Sequence, residues 1–95
     1  MNQVYVATRH ARERSTARAI PPMIAEMIIE FGQSRDAGDG ARKYALTKES
    51  MRELRRVAGR AIANAVAPYR HQNAYVVAAG GRIITVAYAS NSRFD

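Results

Sequence analysis

The chain has no cysteine and no tryptophan among its 95 residues. Without thiols there is no disulfide framework, no thiolate nucleophile and no cysteine-based metal centre. Two histidines are present, and no carboxylate stands at a helical offset that would complete a metal site with His10. No metal and no cofactor are therefore expected. Gly80-Gly81 lacks the lysine and following helix of a phosphate loop, and no serine sits in a nucleophile elbow. No stretch approaches the roughly 18 apolar residues that span a bilayer. Met1-Asn2-Gln3-Val4-Tyr5 also lacks the basic-then-apolar layout of a signal peptide. A cytoplasmic protein without membrane contact is expected.

Acids are scarce too. Eight Asp and Glu face fifteen Lys and Arg, for a net charge of +7. Thirteen of those cations are arginine, whose planar fork pairs two-pronged with phosphate and stacks on bases. The balance points to RNA or a nucleoprotein complex as partner. The charge is also uneven. Residues 21–40 hold four acids against one arginine, while residues 1–20 and 41–60 are basic. One acidic and one basic surface follow. Apolar residues make up 47% of the chain, much of it alanine. That is enough for a single domain over 1–95 with a thin core, which leaves room for a homodimer.

The coarse order reads helix, helix, strand, helix, strand, strand. Val4-Tyr5-Val6 is β-prone, as an edge strand or an extended arm. Thr8 caps a short helix over Arg9–Arg18. Pro21-Pro22 restarts the chain as the first turn of a second helix. Its apolar stripe is Met23, Ile24, Met27, Ile28 and Phe31, with Glu26 and Glu30 opposite, and Gly32 ends it. Ser34–Gly40 reads as a polar turn between helix and strand, and its acids lack the spacing of a calcium loop. Arg42–Leu46 is a short strand. Thr47 opens the longest helix, expected to run from Lys48 to Val66 with Pro68 closing the segment. Its buried stripe is Met51, Leu54, Ala58, Ala61, Ile62, Ala65 and Val66. Arg52, Arg55, Arg56 and Arg60 lie on its other side. His71 falls in a loop.

The last element is the clearest. Ala74–Ala79 and Arg82–Tyr88 flank Gly80-Gly81 as a β-hairpin with a two-residue turn. Strict alternation places Tyr75, Val77, Ile84, Val86 and Tyr88 on one face, and Val76, Ala78, Ile83, Thr85 and Ala87 on the other. Both faces are apolar, so the hairpin belongs inside its sheet. Ser90–Asp95 is a loose polar tail. The fold class is α+β, with two N-terminal helices, a strand, a long helix and a C-terminal hairpin. The helices pack on a small antiparallel sheet.

One motif suggests catalysis. His10, Arg14 and Arg18 recur every four residues, which stacks an imidazole and two guanidiniums along one helical stripe. A group titrating near neutral pH beside two fixed cations suits metal-free cleavage of RNA. His10 would move the proton, and Arg14 and Arg18 would hold the charge on phosphorus. A solvated basic face is the plain alternative. Arg52, Arg55, Arg56, Arg60, Arg82 and Tyr88 are the candidate nucleic-acid contacts. Arg82 could also support the phosphorane, and Tyr44 or Tyr88 could bond a phosphate or stack a base.

Thr8–Arg14, Arg18-Ala19-Ile20-Pro21, Phe31-Gly32 and the strand Arg82–Val86 together resemble a family of small bacterial domains. That family is related by fold to RelE/BrnT-type toxins and barnase-like nucleases. The resemblance implies helices on one face of an antiparallel sheet, RNA approaching from the sheet side, and an antitoxin as a protein partner. It departs from the family at Ala19, where a glycine usually follows the arginine. The expected function is a toxin-like, metal-independent ribonuclease of a toxin–antitoxin system. The alternative is a non-catalytic phage or mobile-element accessory protein that binds nucleic acid or a nucleoprotein complex. A purely structural or oligomerising domain is a third reading.

Overall fold

A computed structural model describes residues 6–7 and 20–89. The helix expected over Arg9–Arg18, with His10, Arg14 and Arg18, lies outside those residues. So does the tail Ser90–Asp95.

Pro21 and Pro22 open helix α1 (Pro22–Phe31). Proline costs nothing in a first turn, where its missing N–H would have no helical partner. The Pro21 carbonyl accepts from the amides of Ile24 (3.0 Å) and Ala25 (3.2 Å). Ile24, Ala25, Ile28 and Ile29 form the buried stripe. It is rotated from the expected one, so Met27 and Phe31 pack at its margin and Met23 is 62% exposed. Gly32 ends the helix for a steric reason, not a left-handed one. Its φ is −74°, but a Cβ there would collide with the Ile28 carbonyl oxygen and lie 2.7 Å from that of Ala45.

The segment expected as a polar turn is a strand. Gln33–Gly38 forms β2, Asp39-Gly40 makes the turn, and Ala41–Ala45 forms β3. Asp39 and Gly40 both have positive φ, 54° and 77°, the requirement of a type I′ hairpin. Ala37 is the extra residue of a bulge between Asp36 and Gly38. β2 was hidden because it is an edge strand with both faces largely in water, so its sequence carries no apolar alternation.

Thr47 caps helix α2 (Lys48–Ala58). Its hydroxyl accepts from the Ser50 amide at 3.0 Å, and the Ser50 hydroxyl accepts from the Thr47 amide at 3.0 Å. This is a capping box with serine in the place of the usual glutamate. The long helix expected over Lys48–Val66 does not form as one piece. Gly59, at φ +96°, ends α2 and starts α3 (Arg60–His71). Because the helix restarts there, its phase changes. Ala63 and Val66 turn inward, while Ala58, Ala61, Ile62 and Ala65 lie exposed. Pro68 does not close the segment either. The helix runs one turn beyond it, and the Pro68 carbonyl accepts from the Gln72 amide at 3.2 Å. His71 is thus the last residue of α3, not part of a loop.

β4 (Ala74–Ala79) and β5 (Arg82–Tyr88) form the expected hairpin. Gly80 and Gly81, at φ 56° and 78°, supply a second type I′ turn. The face assignment needs one correction. Val76 pairs with Val86 and Ala74 with Tyr88, yet Ala78 pairs with Ile83. A bulge at Ile84 breaks the alternation, so Ile83 and Val86 both point inward while Ile84 is 37% exposed.

The sheet order is β1-β5-β4-β3-β2. β2 to β5 are antiparallel neighbours, and the two-residue β1 (Val6–Ala7) runs parallel to β5 at the edge. The fold is α+β, with a C-terminal hairpin in an antiparallel sheet. Three described helices cover one sheet face. Ile20, Ile28, Leu54, Val66, Val76 and Val86 are the largest fully buried side chains between these layers. Each such side chain contributes about 1.5–3 kcal/mol. Among the described residues, no helix is long and apolar enough to cross a membrane.

Candidate nucleic-acid interface

Strand alternation sorts the sheet into two chemistries. Val76 and Ala78 of β4 point to the helices, with their register partners Tyr44 and Arg42 of β3. On the opposite face lie Lys43 and Ala45 of β3, paired with Val77 and Tyr75 of β4. Arg35 of β2 pairs with Lys43. Thr85 and Ala87 of β5 pair with Val77 and Tyr75, and Arg82 pairs with Ala79. No described helix packs on this face.

Among the described residues, its charge is of one sign. Arg35, Lys43 and Arg82 share it, and no described acid occupies a strand position there. Asp36 points to the helix side with Arg42, Asp39 is in a turn, and the other described acids are on helices. The Lys43 ammonium sits 4.4 Å from the centre of the Tyr75 ring, a cation–π contact. Tyr75 is half-buried, and its register partners on both sides are alanines. Of these, Ala87 is 2% exposed, so the sheet is not bare beside the ring.

The arginines of the helix layer are arranged differently. Arg52, Arg55, Arg56 and Arg60 are all exposed. Arg52 donates to Glu49 at 2.6 Å, which holds its guanidinium still more firmly protonated. Arg56 grips Glu53 through Nε, at 3.3 Å, and through a terminal nitrogen. Arg55 and Arg60 form no ion pair among the described residues.

The candidate contacts named from the sequence are therefore not brought together. Arg52, Arg55 and Arg56 ride on α2, Arg60 opens α3, and Arg82 stands on the sheet face opposite the described helices. Tyr88 pairs with Ala74 and packs against the core. Burial pushes its phenol pKa up, and the neighbouring Tyr69 adds to the shift. Tyr44 likewise packs on the core. His10, Arg14 and Arg18 lie outside the described residues. Lys43 and Tyr75 were missed from the sequence because β3 and β4 meet only across two intervening helices. Asp39-Gly40 was the available signal, since it marks the hairpin that sets β3 in register.

No protein-family model matches this chain, and no curated protein or solved structure matches it either.

Proposed function

We propose that this protein is a small nucleic-acid-binding module whose contact surface is the sheet face opposite its described helices. What supports the reading is the placement of Arg35, Lys43 and Arg82 on one face without a described acid among them. The described charged side chains on this face attract a phosphate backbone. Arginine supplies two-pronged contacts and lysine a mobile point charge. The exposed Arg55 and Arg60 on the helix layer belong to a second, weaker basic surface.

Fluorescence anisotropy with labelled RNA and DNA oligonucleotides tests the proposal across a salt series. Binding should weaken with salt along a log–log slope of about −2, as three basic contacts to a flexible strand require. Lys43→Glu with Arg82→Glu should remove most of the affinity. Affinity lost instead on Arg55→Glu with Arg60→Glu would move the surface to the helices. RNA recovered intact in EDTA fits a binding module. RNA cut there by the wild type, but not by a His10→Ala variant, would make the protein a metal-independent ribonuclease.

A further inference from the structure

We infer that this protein pairs with a second copy of itself through its helix layer, α1 of each copy docking on the corner between α2 and α3 of the other. This inference goes beyond the nucleic-acid reading and does not depend on it. Three large apolar side chains stand exposed at these two places. Met23 is 62% exposed on α1, Val57 is 57% exposed on the last turn of α2, and Ile62 is 38% exposed on the first turn of α3. A single exposed apolar residue means little, but here each place also carries charge of one sign. Met23, Glu26, Met27 and Glu30 follow one another at three- and four-residue steps, which puts them on one stripe of α1. That stripe lies opposite the buried Ile24, Ala25, Ile28 and Ile29, and Glu26 and Glu30 are the only charged residues of the helix. The corner is the reverse. Arg55, Arg56 and Arg60 surround Val57, and no acid occurs from Leu54 to His71.

Charge complementarity names the occupant. Two acidic stripes repel each other, and so do two arginine corners, whereas the stripe of one copy attracts the corner of another. Both surfaces belong to the helix layer, so a single two-fold axis can make the contact twice, with each copy giving its stripe and receiving the other's. The doubling matters because a stable dimer covers about 800 Å² per partner, and one contact of a few apolar side chains falls short of that. The corner also has an unfinished apolar stripe. Val57 and Ala58 follow Leu54 by three and four residues, so they continue the inward side of α2, yet both are exposed. A second copy seated there completes the burial that the helix pattern begins.

Sedimentation velocity of the full chain, without nucleic acid, tests the pairing. Wild type should pass from monomer to dimer at about 0.1 mM and stop there. Glu26→Lys with Glu30→Lys, and separately Arg55→Glu with Arg60→Glu, should each weaken dimerisation by about tenfold or more. The arginine pair removes four charges and takes the net charge from +7 to about +3, which favours non-specific association. Loss of pairing in that variant therefore reports the specific contact. An equimolar mixture of the two variants should restore the dimer, because each reversed surface then meets its opposite. Met23→Gln and Val57→Gln change no charge and should each weaken pairing about fivefold. Circular dichroism confirms that every variant is folded. A wild type still monomeric at about 1 mM, reversed variants that pair like wild type, or a mixture that stays monomeric overturns the inference. Growth beyond the dimer overturns the reciprocal closure.

Discussion

Two surfaces of this molecule are rich in cations, and they differ in what holds those cations. On α2, Glu49 and Glu53 stand three residues before Arg52 and Arg56, one helical turn away. Half of that four-arginine cluster is neutralised by its own helix. On the sheet face opposite the described helices, alternation sends neighbouring side chains to opposite sides, so Asp36 cannot share a face with Arg35. Lys43 meets a tyrosine ring there instead of a carboxylate. The lesson is that a run of arginines in a sequence measures charge, whereas the geometry of the element decides how much of it remains available.

Charge reversal puts the greatest strain on this comparison. Lys43→Glu with Arg82→Glu should cost about 3 kcal/mol of binding, roughly a hundredfold in anisotropy titrations at low salt. The matching pair on the helix, Arg52→Glu with Arg56→Glu, should cost well under tenfold. Equal losses from the two pairs would erase the distinction between the surfaces.

Gly59 separates the arginines of α2 from Arg60. Its φ is +96°, and a Cβ added there would have nothing within 4 Å, so an added methyl meets backbone strain and no clash. Gly59→Ala should destabilise the fold by about 1–3 kcal/mol, read as the urea midpoint. Oligonucleotide affinity should not change at temperatures where the variant is folded.

The capping box probes the same separation more gently. Thr47→Ala removes the hydroxyl that accepts from the Ser50 amide and should cost about 1 kcal/mol. Both residues are 3% exposed, so water cannot easily replace the lost bond. Binding through the sheet face should again be unaffected.

Releasing one arginine gives the smallest effect. Glu49→Gln frees Arg52 from an exposed ion pair and should change stability by no more than about 0.5 kcal/mol. If the helix surface touches nucleic acid, affinity should rise about twofold at low salt. No change in affinity would confine binding to the sheet.

The pH response separates the two sides of the sheet in another way. Tyr88 faces the core, and its raised pKa means that folding favours the neutral phenol. That contribution is complete below the unfolded value of about 10 and is lost as pH rises through the folded one. Urea midpoints measured at increasing alkaline pH should fall, and Tyr88→Phe should lessen the fall.

Much of the architecture was legible from local chemistry. Pro21-Pro22 marked the start of α1, Thr47 the start of α2, and Gly80-Gly81 the hairpin turn. Each works through its own backbone geometry and needs no distant partner. The α2 stripe of Met51 and Leu54 was legible for the same reason. What failed were signals that depend on context. Ile24 and Ile28 point inward as their spacing predicts, but Met23, which shares that spacing, is exposed, because apolar character alone cannot set a helix's rotation. Ala58 and Ala61 continued the periodic pattern across Gly59, and the restart of α3 then turned them outward. β2 has water on both sides, so it lacked the alternation that identifies a strand.

By itself, the sequence determined the sign and excess of charge, the turn chemistry, the helix starts and the α+β class. These follow from side-chain ionisation and from torsion preferences that act over a few residues. Only the tertiary structure decided that Lys43 lies over Tyr75 and that Arg82 shares their face while Tyr88 does not. β3 and β4 are joined through two helices, and their pairing is set by burial of Tyr44, Val76 and Val86 beneath those helices. A contact between distant strands is a property of that shared core, so no local reading of either strand could contain it.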